Sequence, residues 1–143
     1  MKISVDRVYN VKSDSSGGAR KRPHKTQFLV DQLWPRGVKK EALYLGPAGD
    51  DAGWLKELAP SKELRQRFHA GDSLSFEEFS GLYLSELDDR LADGELDDAL
   101  GLMRSCGEKL GEACGDELVL LTATKNEEEN HALVLRDWLE QHI

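Results

Sequence analysis

The spacing of hydrophobic and polar positions changes several times along the chain, and each change marks an element. Ile3, Val5 and Tyr9 fall on an alternating pattern that predicts a first strand over residues 3–9. Residues 27–33 predict a second strand, short and apolar enough to lie inside a sheet rather than at its margin. Pro35 stops it, because proline has no N–H for a strand ladder and restricts the residue before it. The clearest strand covers residues 117–123, a near-continuous aliphatic run of the type buried in parallel sheets.

Between the second strand and this last one the apolar period lengthens to three and four. Residues 38–45 fit one helical turn or a short strand, and residues 46–51 read as a turn cluster. A short helix over residues 51–58 would carry Trp54, Leu55 and Leu58. Pro60 and Ser61 interrupt it, and Ser61 caps a second short helix over residues 62–69 with Leu64 and Phe68 inward. Ser75 and Glu78 have capping-box spacing ahead of a longer helix whose Phe76, Phe79, Tyr83 and Leu87 form a core stripe. Asp93 and Gly94 separate it from a helix repeating Leu96, Leu100, Met103, Cys106 or Gly107, and Leu110, which residues 111–116 close. After Thr124 and Lys125 comes a final helix, with Asn126 as its cap and Ala132, Leu135, Trp138 and Leu139 on its inward face.

This order predicts a single compact α/β domain over residues 1–143. Its small, mostly parallel sheet is flanked by helices, a Rossmann-like layering without a dinucleotide fingerprint. In such sheets ligands sit beyond the carboxyl ends of the strands, which selects residues 31–37 and 122–131. If their strands are parallel neighbours, both segments share one rim. Residues 10–26 break the pattern and read as a flexible loop whose second half is basic, either merely solvated or an anion-binding arm.

A chain of 143 residues buries a real core without staples. Its 27 acids against 19 bases, a net charge of −8, argue against binding a nucleic-acid polymer, although a local basic site for a small anion stays open. Cys106 and Cys114 lack the spacing of a zinc site and read as reduced thiols, so no metal and no cofactor are implied. No run approaches the about 18 apolar residues of a membrane helix, and the N-terminus lacks a signal-peptide core, so the expected address is the cytoplasm.

Arg36 is the strongest candidate for ligand work, since a guanidinium can clamp a carboxylate or phosphate with two hydrogen bonds. Trp34 offers a stacking surface, while Pro35 and Gly37 shape the loop. The plainer alternative has Trp34 plugging the sheet end and Arg36 paired internally with Asp31 or a helix acid. On the other segment Thr122, Thr124 and Asn126 offer hydroxyl and amide groups, and Lys125 adds a point charge. Asn126 or Thr124 also suits a plain helix cap. Asn130 and His131 fall in the first turn of the last helix, where the histidine is a general acid or base, or a packing residue. His24, His69 and His142 have less support, and the pairs Asp88-Asp89 and Asp97-Asp98 read as solvated helix ends. The dinucleotide, P-loop, nucleophile-elbow and H-E-x-x-H motifs are all absent.

Residues 30–37, 54–61, 64–65, 68–69, 120–125 and 130–132 together resemble the domain-of-unknown-function 488 family, in its YeaO-like branch. The resemblance implies a small α/β fold and a cytoplasmic, prokaryotic protein with no established activity. Against the family's usual pattern, Gln32 stands for an arginine, Thr122 for an aromatic residue, and Asn126 and Glu129 for an acid and a histidine. These changes remove charge and rings from the rim, so no catalytic set is carried over. Lys56 and Glu57 also match, in a segment that reads as a lid over the rim or as a solvated pair.

Two functions fit. The first is binding of a small anionic metabolite, of which a nucleotide-like molecule is one form, through Asp31, Trp34, Arg36, Thr124, Lys125, Asn130 and His131. The second is a non-catalytic interaction or oligomerisation module built around Trp34 and Trp54, with a homodimer as its simplest form.

Overall fold

Three strands, β1 (Lys2–Arg7), β2 (Thr26–Leu29) and β3 (Glu117–Thr122), form a parallel sheet in the order β1-β3-β2. In this computed structural model residues 2–11, 25–69, 74–108 and 117–143 are described, without the side chains of 69, 107 and 108. Residues 12–24 of the expected loop, with His24, the side chain of His69, Leu110, the helix closure at 111–116 and Cys114 lie outside the described residues. Every residue of β3 is buried, as a central strand with neighbours on both sides requires.

β2 lies at the margin of this sheet, not inside it. Its apolar character has another cause, because its outer edge is bonded by the following chain. Gly46 N–H donates to Gln27 O at 2.7 Å and Leu55 N–H to Leu29 O at 2.8 Å, with bridges from Gln27 to Leu45 and from Leu29 to Trp54. Phe28, Leu29 and Val30 are thereby fully buried. The strand also ends at Leu29, earlier than periodicity suggests, and Leu33 is 61% exposed. Likewise β1 gives way at Val8 to a helical turn, α1 (Val8–Val11), which turns Val8 inward and leaves Tyr9 37% exposed.

The two faces of the sheet are covered differently. Ile3, Phe28, Leu118 and Leu120 meet a core that also takes residues from α2 (Lys62–His69), α3 (Phe76–Ala92), α4 (Asp97–Glu108) and α5 (His131–His142). Leu29, Val119 and Leu121 on the other face meet Val8, Val38, Leu43 and Leu45, with Trp34 and Trp54 packed alongside. That cover contains short 3₁₀ turns, Lys40–Ala42 and Asp51–Gly53. The expected helix over 51–58 divides into two turns, the second Lys56–Leu58, because Trp54 takes extended backbone to bridge Leu29. No helix of the described residues is long and apolar enough to cross a membrane.

Caps and long polar side chains hold the turns to the helices. Ser75 and Glu78 make the reciprocal capping box of α3. Ser61 Oγ accepts from Leu64 N–H at 3.2 Å while the Ser61 N–H and hydroxyl donate to Glu86. Arg90 donates to Glu57 O at 2.8 Å and Ala59 O at 2.6 Å, and the Tyr83 hydroxyl donates to Leu58 O. With these bonds the 54–61 segment is tied to the sheet edge and α3.

The close approach of Gly53 to the backbone of Leu45 and Gly46 in this cover requires a residue without a side chain. A Cβ at Gly53 would lie 2.3 Å from Gly46 N and 2.4 Å from the Leu45 carbonyl carbon. Gly53→Ala is therefore expected to destabilise the protein by about 1–3 kcal/mol, read as a lower urea midpoint, whereas an unchanged midpoint would refute the close approach.

At the amino end of β3, Glu117 is buried and accepts from Ser4 Oγ at 2.7 Å, with Lys2 and Lys25 at 3.2 and 2.9 Å. Burial pushes its carboxyl up, but the bonds from Ser4, Lys25 and Lys2 outweigh this and lower it from 4.5 to about 2. A carboxyl that binds its proton less readily when folded stabilises the fold above about 4.5, and this stabilisation is lost as pH falls through about 2. Carboxyl NMR titration should place Glu117 well below ordinary glutamates, and Glu117→Gln should flatten the stability loss between those pH values.

Candidate functional site

The carboxyl ends of β2 and β3 lie side by side, so residues 31–37 and 122–131 share one rim. Val30 N–H still donates to Leu121 O at 3.1 Å, and the chain then turns so that the Asp31 side chain faces the end of β3. Asp31 Oδ1 accepts from the Thr122 hydroxyl at 2.8 Å, and Oδ2 from Ala123 N–H at 2.8 Å. His131 Nε2 lies 3.2 Å from Oδ1 and 3.0 Å from Val30 O. Both neighbours are acceptors, so Nε2 carries the proton in either charge state of the ring. Burial pushes the Asp31 carboxyl up, but the hydrogen bond and charge of His131, with Ala123 and Thr122, outweigh it and hold it below the usual aspartate value.

The loop after Asp31 is held through its backbone and its rings. Trp34 Nε1 donates to Val38 O at 2.6 Å, and Trp54 Nε1 to Asp31 O at 2.8 Å; the two indoles meet edge to face at 5.3 Å. Gly37 has φ +74°, the left-handed conformation that completes the loop. The Tyr9 hydroxyl donates to Arg36 O at 2.9 Å, while the Arg36 side chain is exposed and enters no ion pair among the described residues. The internal pairing of Arg36 with Asp31 is thus not made, because the carboxylate is occupied by His131, Thr122 and Ala123.

On the facing segment, Arg7 Nε donates to Thr124 O at 3.2 Å, and the Thr124 hydroxyl lies 3.1 Å from that of Thr122. Asn126 does not cap α5. Its Oδ1 accepts from Glu128 and Glu129 N–H at 2.9 and 3.0 Å in a local turn. The cap is Asn130, whose Oδ1 accepts from Leu133 N–H at 3.1 Å and whose amide donates to Asn126 O at 2.9 Å. His131 is the first helical residue, held by Asp31 and with Tyr83 against its ring at 6.0 Å.

Between the two segments lies a cleft of about 570 Å³. It brings together Asp31, Trp34, Arg36, Thr124, Lys125, Asn130 and His131, the residues picked from the sequence. Sequence reasoning missed Tyr9 and Arg65 in it, and assigned Phe68 and Phe79 to the core alone. Arg65 stands one turn before Phe68 on α2, and only the contact of that helix with the rim reveals it. Gln32 and Pro60 complete the wall, whereas Lys56 stacks over the Trp54 ring at 4.0 Å, away from the opening. Among the described residues no group of three or more His, Cys, Asp or Glu is gathered as a metal site needs. A second hollow of about 470 Å³ on the other side of Trp34 is bordered by Lys40 and Asp51, which pair at 3.1 Å.

The family described as the inactive DUF488-N3 subclade matches residues 2–143. An uncharacterised protein of Escherichia coli named YeaO is 36% identical over 140 residues, 97% of each chain. Uncharacterised proteins of Mycobacterium tuberculosis and Mycobacterium bovis are each 33% identical over 138 residues, 96% of this chain and 93% of theirs. No solved structure is a significant match.

The donor set around Asp31 has a measurable consequence. Asp31→Asn sets an N–H against one of three donors and is expected to cost about 1–3 kcal/mol at neutral pH. Because the carboxyl titrates below 3.8, the wild-type advantage is present above that value and shrinks as pH falls below it. Urea unfolding of both proteins across this range checks it, and equal stability at neutral pH would refute the carboxylate's role.

Proposed function

We propose, for a chain that belongs to the inactive DUF488-N3 subclade, that it binds a small anionic metabolite in the rim cleft without turning it over. The observation that carries this reading is the charge distribution. In a chain with 27 acids and 19 bases, the cleft gathers Arg36, Arg65 and Lys125. None of the three enters an ion pair among the described residues. Its acids are Glu129 and Asp31, and Asp31 is already occupied by three donors. A carboxylate or phosphate entering here meets free guanidinium and ammonium groups, with backbone and apolar walls that lower the local dielectric. Leu33, Trp34 and Phe68 supply apolar surface for the rest of such a ligand, and a nucleotide-like molecule is one form that fits.

Several features argue for binding rather than catalysis. His131 Nε2 is committed to Asp31 and Val30 O, so of the two ring nitrogens only Nδ1 remains for a ligand. The hydroxyl nearest this pair, Thr122, is itself buried and donates to Asp31. The family's description as inactive agrees. An interface built on Trp34 and Trp54 has less support, since both indole N–H groups are turned inward onto backbone carbonyls.

Thermal-shift and calorimetric titration against nucleoside monophosphates, sugar phosphates and small carboxylates tests the reading. A ligand at 100 times its dissociation constant adds about 2.7 kcal/mol of stability. Arg36→Ala should weaken the best binder by about 10- to 100-fold while leaving the melting temperature of the free protein unchanged, because the side chain is exposed. Absence of any shift across the panel, or undiminished binding by Arg36→Ala, would sink it.

A further inference from the structure

The buried polar atoms at the rim are paired with one exception. Asp31, Thr122, Asn126, Asn130, His131 and both indoles have partners, yet Gln32 Oε1 is buried with none, and is alone in this among the described residues. Gln32 itself is half-buried and borders the cleft between Asp31 and Leu33. A glutamine kept for structure would have its carbonyl satisfied, since a buried acceptor left unmade carries the full penalty of its desolvation. The terminal amide turns about a broad, roughly two-fold torsion, which brings the carbonyl to the opening and carries the amide N–H2 inward in its place.

We propose, resting on the reading of the cleft as an anion site, that Gln32 is its specificity residue. It selects ligands that carry an N–H or O–H donor on a flat apolar body, in addition to the anionic group. The three parts of such a molecule each have a counterpart. The anion meets Arg36, Arg65 or Lys125, the body meets Leu33, Trp34 and Phe68, and the donor meets the Gln32 carbonyl. The donor supplies the hydrogen bond that this carbonyl oxygen lacks in the free protein. The ligand class is thus an aromatic or heteroaromatic acid or phosphate with an amino, ring N–H or hydroxyl substituent.

The experiment compares benzoate with 3- and 4-aminobenzoate, and phenyl phosphate with 4-aminophenyl phosphate, by calorimetry on the full chain. The two series distinguish a carboxylate from a phosphate as the anionic part. The wild type should prefer at least one amino compound over its plain parent by about tenfold. Gln32→Met and Gln32→Leu should abolish that preference, keep the plain parent's affinity, and raise the melting temperature of the free protein by about 2–4 °C by removing an unpaired acceptor. A lowered melting temperature in both variants would mean that Gln32 holds a structural bond, by a bridging water or otherwise, and would overturn the proposal. Preference that survives in the variants, or is missing from the wild type, would also overturn it. If the plain acids bind and lose affinity in Arg36→Ala while amino compounds gain nothing, the anion site stands and the role of Gln32 alone falls. If no acid binds, both fall.

Discussion

The carboxylate of Asp31 joins parts of the chain that are far apart in sequence, and the rim depends on it. Its oxygens take donors from Thr122 and Ala123 at the end of β3 and from His131 at the start of α5, while its backbone carbonyl takes the indole N–H of Trp54. One residue thus connects the end of β2 to the central strand, to the last helix and to the segment covering the sheet edge. Burial works against a charge at this position. Three donors converging on two oxygens reverse that penalty, which is why the carboxyl stays below its ordinary range. The arrangement also commits Asp31 and the Nε2 of His131 to each other, so the anion site proposed above rests on the side chains around them.

The backbones of both walls are held by side chains from elsewhere in the chain. Tyr9 bonds the carbonyl of Arg36 and Arg7 that of Thr124, and the Arg7 guanidinium lies 5.5 Å from the centre of the Tyr9 ring. The end of β1 and the turn after it therefore hold both walls of the cleft. Trp34, which borders the cleft, meets Trp54 edge to face. Walls bonded in this way would need little ordering to take the proposed ligand, which would leave more of the contact energy as affinity.

Much of this was legible where local chemistry decides. The aliphatic run of β3, the Ser75–Glu78 box and the Ala132, Leu135, Trp138 and Leu139 face of α5 are all as the residues predict. The gathering of Asp31, Arg36, Lys125 and His131 follows from two parallel strands sharing one rim. The rest depends on pairing at long range. Asn126 and Asn130 are equal as caps by residue type, and His131, bound to Asp31 about a hundred residues earlier in sequence, marks where the helix begins. The break at Trp54 likewise comes from Leu29, and the burial of β2 from bonds to Gly46 and Leu55 rather than from flanking strands. No window of sequence contains those partners.

Asp31 and Glu117 show why burial and a lowered titration do not by themselves mark a site. Both carboxylates sit at strand ends, both are pushed up by burial, and both are pulled back below their ordinary values by convergent donors. Glu117, at the amino end of the sheet, is matched by two lysine ammonium groups and a serine, so its charge is balanced where it stands. Asp31, at the carboxyl end, is matched mainly by polar N–H and O–H groups, and the free cations lie beyond it around an open cleft. The surplus of positive charge is thus displaced from the buried acid to the opening. What separates the two ends of the sheet is the position of that unneutralised charge, and it favours an anion at only one of them.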